Sequence, residues 1–428
     1  MADAPVTVAV PPGTRERDID AAKGLACLLM VFGHAAFQSG WAVHRITGWQ
    51  IVSIVGETAV PLFFMAIGVN VAIGVEKSAK DRSARPTLFL LLTAVLMFVL
   101  GNAYNLNRQT VGLMDLFQGI AVMMMLAYVP LRREWPSWAV LAFGLLLCSI
   151  GLSHALVQDP SLTHGYISIS ADEFNKARDP AYAHGDLYAK YLALVAELKA
   201  LPLVHRLLYV HFSVAPWSGF AVLGGLSYRW YRQGRERWGW ALFATLFVVS
   251  LLMPYFGYHA LVDFFFRGKP DYVFRQLALA GLIILALRRW YGDGAKATRW
   301  VEFLGRESFL VFITHWLFLE FIATFFPKPM QLFGVYTATM VLTGILVFGL
   351  SKLRDKTMEW KIYVPFWIVV YFGFIYLALV ARYRIVTPGH LNEYLSHLLT
   401  FPAATAFAML MPALRLLRGK KTTTEAAA

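Results

Sequence analysis

The chain has 428 residues, of which 58% are hydrophobic and only 15% are charged. This composition excludes an ordinary soluble protein, because so apolar a chain would leave large hydrophobic patches in water. The net charge of +13 would suit a nucleic-acid-binding protein, but the basic residues are spread over short loops between apolar segments. The positive-inside rule and anionic lipids account for that distribution, so we expect membrane lipids and no nucleic acid as partners.

About ten to twelve apolar segments are long enough to cross a hydrocarbon core of roughly 30 Å. The predicted fold class is therefore all-α, a polytopic integral membrane bundle of about 10–12 transmembrane helices. The basic loops alternate so that both termini are predicted to be cytoplasmic. The segments are 19–38, 52–75, 87–105, 113–131, 137–156, 207–228, 237–256, 271–289, 300–325, 333–351, 361–381 and 393–414.

The segments form one predicted membrane domain, residues 15–418, between disordered tails at 1–14 and 419–428. Its one sizeable insert, 158–206, is predicted to be an extracytoplasmic loop, which serves as a lid or as a plain connector. No cleavable signal peptide is apparent, since the first apolar run begins after Asp18 without a small-residue cleavage site. Compact loops favour a bacterial inner membrane.

The first segment carries three ionisable groups on one face, Asp20, Lys23 and His34. At about 100° per residue, Cys27, Met30 and His34 fall within roughly 40° of Lys23, and Asp20 falls within roughly 60° of it. At about 1.5 Å per residue, His34 lies about 16 Å along the helix axis from Lys23. Ionisable groups are costly in a bilayer, so this stripe is predicted to be functional.

The stripe suits acyl transfer from a thioester. A neutral His34 imidazole takes a proton from a hydroxyl or amine as that group attacks the thioester carbonyl. Lys23 neutralises a phosphate of coenzyme A, and Asp20, one turn earlier, keeps the lysine oriented and charged. The structural alternative makes Lys23 a snorkelling anchor and His34 a hydrogen-bonding group between helices.

The second segment adds Glu57 and Asn70. Glu57, at the predicted outer entry, can orient His34 or carry its proton onward, or it can simply be solvated. Asn70, towards the other end, can bind a cofactor phosphate or amide, or hydrogen-bond to a neighbouring helix.

Two later segments offer polar groups at a predicted membrane edge. Asp115 and Gln118 lie one helical turn apart and suit sugar hydroxyls, although they also resemble a helix cap. His211 and Trp217 open the sixth segment and are candidates to line the same acceptor cavity. Pro216 predicts a kink or an unwound stretch there.

The ninth segment carries Arg306, Ser308 and His315. Arg306 and Ser308 suit phosphate contacts at a helix N-terminus, where free N–H groups favour anions, or they form an anchor and a cap. His315 lies too deep for casual solvation and is predicted to belong either to the acyl path or to a structural network.

Three motifs in order resemble the acyltransferase-3 family of membrane acyltransferases. The first is the Arg17-Asp-x-Asp-x-x-Lys23-Gly run that ends in Gly33-His34, with ten residues between the cation and the histidine. The second is Gly56-Glu-Thr-Ala-Val-Pro-Leu-Phe-Phe-Met-Ala-Ile-Gly68. The third is Leu304-Gly-Arg-Glu-Ser-Phe-Leu-Val-Phe-Ile-Thr-His315. The resemblance implies His34 as the catalytic histidine and Lys23 as its paired cation.

Two further segments are similar to bacterial relatives of heparan-alpha-glucosaminide N-acetyltransferase: Met114-Asp-Leu-Phe-Gln-Gly-Ile120 and Val214-Ala-Pro-Trp-Ser-Gly-Phe-Ala-Val-Leu-Gly-Gly225. That group delivers acetyl from cytosolic acetyl-CoA to a sugar across the membrane. Lys23 replaces the usual Arg, and Ile67-Gly68-Val-Asn70 replaces a usual Ser-Gly pair. These departures leave the acceptor open.

The function expected from these observations is transfer of an acyl group, first of all acetyl, from cytosolic acyl-CoA to a hydroxyl or amine of a sugar, glycan or lipid-linked acceptor. Acyl-CoA is a co-substrate, and no tightly bound cofactor or metal is expected, because the histidines are too scattered for a zinc site. The alternatives are a proton-coupled twelve-span transporter that uses His34, Lys23 and Glu57, or an inactive scaffold. The sequence leaves a homo-oligomer open.

Overall fold

The computed structural model describes residues 16–38, 56–80, 85–104, 116–156, 214–253, 270–292, 299–325, 332–382 and 390–419. Within these ranges the chain is helical and has no strand. The predicted all-α bundle is thereby confirmed. The thirteen helices of the described ranges are α1 (Arg17–Gln38), α2 (Ala59–Lys80), α3 (Arg85–Tyr104), α4 (Leu116–Arg132), α5 (Ser137–Leu156), α6 (Val214–Arg232), α7 (Glu236–Leu252), α8 (Pro270–Gly292), α9 (Arg299–Arg306), α10 (Ser308–Phe325), α11 (Leu332–Thr357), α12 (Tyr363–Arg382) and α13 (His390–Gly419).

Apolar, membrane-length segments are a main feature of the described chain. Four of them are long and apolar enough to cross a bilayer, namely Arg17–Ala36, Ala59–Ala79, Leu332–Thr357 and His397–Leu414. Shorter apolar helices accompany them in α3, α4, α5, α10 and α12. The outer face carries large apolar side chains such as Ile345 and Val369, which are 66% and 70% exposed and suit contact with lipid tails.

The ninth predicted segment, 300–325, is two helices and not one. Helix α9 ends at Arg306, Glu307 lies in a turn, and α10 begins at Ser308. The break follows Gly305, a weak helix former. It also coincides with Glu307, whose carboxylate accepts hydrogen bonds from Arg354 of α11 at 2.7 Å.

The interior is divided between two hydrophobic cores. The first is built from α1, α2 and α4–α8 and includes Phe64, Trp217 and Phe243. The second is built from α1, α3, α4 and α9–α13. Phe63 of α2 packs against both. The two cores therefore meet along α1, α2 and α4, and this seam positions the functional groups.

Helix α1 is central, since it packs against α2, α8, α9, α10 and α11. Glycines allow two very close approaches along it. A side chain at Gly24 would collide with the backbone carbonyl of Val301 in α9. A Cβ at Gly56, just before α2, would lie 3.1 Å from the Cα of Gly33. Both ends of α1 are thus held by backbone contact with a neighbouring segment.

Candidate active site

One end of α1 carries the predicted cationic group. Lys23 Nζ lies 2.8 Å from Asp20 Oδ1, and the two side chains are 15% and 8% exposed. The pair is spaced three residues apart, so helix geometry brings the charges together on one face. The prediction that Asp20 orients Lys23 agrees with this contact.

Helix α9 brings Arg306 to the same end. A side chain at Gly305, the residue before Arg306, would collide with the backbone carbonyl of Asp20. Arg306 is 45% exposed, and its Nε donates a hydrogen bond to Glu307 Oε1 at 3.1 Å. Ser308 is the first residue of α10, so the predicted helix N-terminus does lie here. This end of α1 therefore gathers two cations and a helix start.

Buried ion pairs reinforce this end, and sequence analysis missed them. Arg354 donates from both Nη atoms to the Glu307 carboxylate at 2.7 Å, while Ser351 donates to the same carboxylate at 3.2 Å. Asp18 Oδ2 accepts from Arg288 Nε at 2.8 Å, with both residues almost fully buried. Arginines inside or beside apolar helices were the available signal.

The carboxyl group of Glu16, just before α1, is partly buried and lies near the negative charge of Asp18. Burial, and then the negative charge of Asp18, raise the pKa of the Glu16 carboxyl above its ordinary value, although Arg288 and Arg232 oppose this shift. Tyr228 OH donates to Glu76 Oε2 at 3.0 Å and lies 3.5 Å from Glu16 Oε1. This carboxyl favours its protonated form more than a solvated glutamate does.

The other end of α1 carries the predicted histidine, which meets the second predicted histidine directly. His34 Nδ1 lies 2.9 Å from His315 Nε2. The two rings are parallel within 3°, with centroids 5.1 Å apart. His315 is fully buried on α10, while His34 is half-buried. The structure therefore joins two residues that are 281 positions apart in the chain.

The hydrogen bonds determine which nitrogen carries each proton. His315 Nδ1 lies 3.1 Å from the backbone carbonyl oxygen of Val311, which only accepts, so this nitrogen carries a hydrogen. Burial disfavours a charged ring, so His315 Nε2 is the acceptor for the His34 Nδ1–H donor. The lone pair of a neutral His34 then lies on Nε2. This arrangement makes Nε2 the basic atom of the site.

Two aromatic residues that sequence analysis did not single out complete this end. The Trp316 indole lies 4.3 Å from the His34 ring and 5.5 Å from the His315 ring, measured between centroids. His397 of α13 stacks on Trp316 at 5.8 Å and an angle of 13°. A histidine inside the apolar twelfth predicted segment was the signal that could have identified His397.

The start of α2 reaches the histidine end through the Gly33 and Gly56 contact. Glu57 follows Gly56 and is buried, as is Thr58. Thr58 Oγ1 donates to Gln276 Oε1 of α8 at 2.9 Å. The predicted proximity of Glu57 to the end of α1 that bears His34 thus agrees with the backbone packing.

A stripe along α2 runs between the two ends. Phe63, Ile67, Asn70, Gly74 and Lys77 recur every three or four residues and so share one face. Asn70 and Lys77 are exposed, and a side chain added at Gly74 would meet no atom within 4 Å. This stripe is therefore a partly exposed face of α2, a helix that packs against five other helices.

Of the four predicted acceptor residues, the structure describes Gln118 and Trp217. Gln118 is buried and donates from Nε2 to Asn102 Oδ1 at 3.2 Å. Trp217 is fully buried in the first core against Phe64, so its indole is a packing group. Asp115 and His211 lie outside the described residues. The predicted interruption near Pro216 is present, because Ala215 has the non-helical angles φ −112° and ψ 134°.

The described residues contain no group of three or more His, Cys, Asp or Glu that could hold a metal ion. Cys27 and Cys148 are both buried and unpaired with each other. The described site therefore consists of a cationic end, a histidine end and a partly exposed face of α2. This arrangement suits proton transfer at an imidazole, with anion binding some 16 Å away.

Comparison with curated proteins gave no match. Residues 16–352, however, match the acyltransferase-3 family, which is described as an acyltransferase domain. The match contains all three motifs of the sequence analysis, from Arg17 to His315, and covers most of the chain. Together with its apolar helices, this match makes the chain an integral membrane protein that belongs to the acyltransferase-3 family.

Proposed function

We propose that this acyltransferase moves an acetyl or other short acyl group from cytosolic acyl-CoA to a hydroxyl or amine of a sugar, glycan or lipid-linked acceptor. The observation that carries the proposal is the hydrogen bond from His34 to the buried His315, which directs the lone pair of His34 to Nε2. A neutral, oriented imidazole is the group that a general base requires near neutral pH.

The transfer step balances without an oxidant or a metal. His34 Nε2 removes the proton of the acceptor hydroxyl or amine as its oxygen or nitrogen attacks the thioester carbonyl. The tetrahedral intermediate then collapses, the carbon–sulfur bond breaks, and the His34 imidazolium returns the proton to the coenzyme A thiolate. Attack by Nε2 itself on the thioester would instead break the carbon–sulfur bond, release the coenzyme A thiolate and leave a transient acyl-histidine. The acceptor hydroxyl or amine then takes the acyl group from His34, and its proton passes to the thiolate.

His315 serves this step as a positioning residue. Its Nδ1–H is committed to the Val311 carbonyl, so a proton passed to His315 has no further acceptor along that hydrogen bond. In this pair His315 is a fixed hydrogen-bond acceptor and His34 is an oriented base, so the pair does not relay protons. This argues for the enzyme and against a proton-coupled transporter that uses His34 as a relay station.

The donor is proposed to enter along the α2 stripe. Lys23 and Arg306 supply cations for the phosphates of coenzyme A at one end of α1. Asn70 and the open space at Gly74 border a route towards the half-buried His34. With a cytoplasmic N-terminus, the cationic end faces the cytosolic pool of acyl-CoA, and His34 faces the acceptor.

The acceptor class rests on the resemblance of 114–120 and 214–225 to bacterial relatives of heparan-alpha-glucosaminide N-acetyltransferase. Such a protein would acetylate a sugar at the extracytoplasmic face of a bacterial inner membrane. Glu57 is proposed to assist His34 at that side, because its backbone neighbour Gly56 contacts Gly33.

Purified wild-type and His34→Gln protein should be incubated with acetyl-CoA and glucosamine, a polysaccharide or a lipid-linked sugar, and free coenzyme A thiol should be followed. Loss of a general base is expected to reduce acceptor-dependent thiol release by about 10²- to 10⁴-fold. Lys23→Met combined with Asp20→Asn, which replaces both partners of the ion pair by neutral groups, should chiefly raise KM for acetyl-CoA.

Full activity in His34→Gln would overturn the role of His34. Failure of the wild-type protein to bind acetyl-CoA in calorimetry would favour the transporter or the scaffold. Mass spectrometry of protein quenched with acetyl-CoA and no acceptor separates the two chemical routes, because only covalent catalysis leaves acetyl on His34.

A further inference from the structure

The described part of α13 supplies a ring to the histidine end, although this helix lies beyond residue 352, where the family match ends. Helices α10 and α13 pack antiparallel, since Phe309 contacts Phe407 while Trp316 contacts His397 further along each helix. His397 is the α13 residue that stacks on Trp316, with planes only 13° apart.

Trp316 connects His397 to the base. Its centroid lies 4.3 Å from that of His34, the shortest of its three contacts with imidazole rings. The indole is half-buried and follows His315 directly in the chain. A Trp316 ring that is free to change rotamer would no longer limit the rotation of the His34 ring.

We propose that His397 is a positioning residue of the transfer site, which holds Trp316 against His34 by ring stacking. The proposal rests on the proposed role of His34 as the reacting base. Stacked aromatic pairs attract each other beyond the burial of their surface, by about 2- to 12-fold in an equilibrium, which suffices to favour one rotamer of Trp316. His397 thereby acts through its ring plane and not through either nitrogen.

The contact between Trp316 and His34 matters for the orientation of the His34 ring. The hydrogen bond from Nδ1 to His315 fixes one atom of the His34 ring. The Trp316 indole, whose centroid is 4.3 Å from that of His34, packs against the same ring and limits its rotation about that hydrogen bond. Small errors in the placement of a reacting group cost catalysis heavily, since even about 1 Å can cost 100-fold.

The first test uses diethyl pyrocarbonate, which modifies neutral imidazole nitrogen, on the full-length protein in detergent. The rate of modification at His34, measured by peptide mass spectrometry, is expected to rise about threefold or more in His397→Leu, as loss of one aromatic contact allows. His397→Phe, which keeps the ring, should react like wild type. Leu398→Ala, a neighbouring residue that is 44% exposed, serves as the matched control.

The second test is a double-mutant cycle. If His397 acts through Trp316, Trp316→Leu should raise the His34 reaction rate, and adding His397→Leu should change it no further. Acetyl transfer to glucosamine should show kcat reduced about tenfold in His397→Leu with an unchanged KM for acetyl-CoA, and rescue by His397→Phe.

The proposal is overturned if His397→Phe behaves like His397→Leu, because the nitrogens and not the ring would then matter. It is also overturned if His397→Leu leaves the His34 rate unchanged, or if the two substitutions add fully. Because the modification rate needs no donor or acceptor, these outcomes are independent of whether the protein transfers acyl groups.

Discussion

The two ends of α1 handle polar groups inside a membrane protein in opposite ways. At one end, Asp18 pairs with Arg288 and Lys23 pairs with Asp20, each at 2.8 Å. The nearby Glu307 pairs with Arg354 at 2.7 Å, so the charged side chains at this end have oppositely charged partners. At the end with His34, the chain packs imidazole and indole rings around a hydrogen bond between two histidines.

This difference predicts that the ion-paired end mainly determines stability, while the histidine end mainly determines reactivity. A buried charge must keep its partner, so the ion-paired end is rigid and costly to alter. A neutral imidazole can be paired, oriented and still gain or lose a proton. Substitutions at the first end should therefore mainly unfold the protein, whereas substitutions at the second end should mainly remove activity.

The largest effect is expected from Arg354→Met, which leaves the Glu307 carboxylate buried without its bidentate partner. Breaking such a pair on one side costs about 3–5 kcal/mol, and replacing both partners by neutral groups recovers most of that loss. The thermal denaturation midpoint in detergent should therefore fall sharply in Arg354→Met and rise again in the double variant with Glu307→Gln.

The matched control is Arg17→Met, because the Arg17 side chain is 54% exposed where it pairs with Glu302. An exposed ion pair contributes little, so this variant should keep the wild-type midpoint. Equal losses in both variants would mean that burial does not distinguish the ion pairs at this end.

His315→Phe should give the next largest effect, on activity alone. Phenylalanine fills the space but accepts no hydrogen bond, so the Nδ1–H of His34 loses its acceptor and the tautomer is no longer fixed. Loss of such an orienting partner typically costs about 10- to 100-fold in activity at comparable sites. The quantity to measure is kcat for acetyl transfer at constant enzyme concentration.

His315→Gln is the conservative companion, because its amide oxygen can accept from His34. It should recover much of the lost kcat, with a denaturation midpoint like that of His315→Phe. A large loss of stability in His315→Phe, with kcat per folded molecule unchanged, would reverse the distinction drawn between the two ends.

Sequence reasoning located the helices well, because apolar length and the cost of ionisable groups in lipid are local properties. The same rule identified Lys23, His34 and His315, and three ordered motifs identified the family. It could not predict that the ninth segment divides into two helices at Glu307, since the pairing of Glu307 with Arg354 is a tertiary contact over 47 residues. Trp316 was overlooked because one tryptophan among thirteen carries no local signal.

Residues at predicted membrane edges are the hardest to assign from sequence, and the acceptor role of Gln118 and Trp217 stays a prediction. Gln118 is engaged by Asn102, and Trp217 is packed in the first core. A helix start and a binding group look alike in sequence, and only packing separates them. His397 was missed for the opposite reason. The cost of an ionisable group in lipid, which singled out His34, applies equally to His397 and would have singled it out as well.

The stripe on α2 connects the two ends in the proposed mechanism. Acyl-CoA must extend from the cations at one end of α1 to His34 at the other. Gly74→Trp should fill the open space at that residue and raise KM for acetyl-CoA about tenfold, or about 1.4 kcal/mol. Gly349→Trp is the control, because Gly349 also has open space around it but lies among exposed residues of α11. Equal effects of both variants would argue against a route along α2.

The smallest effect is expected from Glu16→Gln at the charged end. Since burial and Asp18 raise the pKa of the Glu16 carboxyl in the folded protein, its ionisation costs stability as pH rises above the ordinary glutamate value. The variant should therefore melt slightly higher than wild type at pH 7, by about 1–3 °C. Below pH 4.5, the ordinary value, the carboxyl is protonated in both states, so the difference should vanish. A variant that melts lower than wild type at pH 7 would mean that Glu16 gains more from Arg288 and Arg232 than it loses to Asp18.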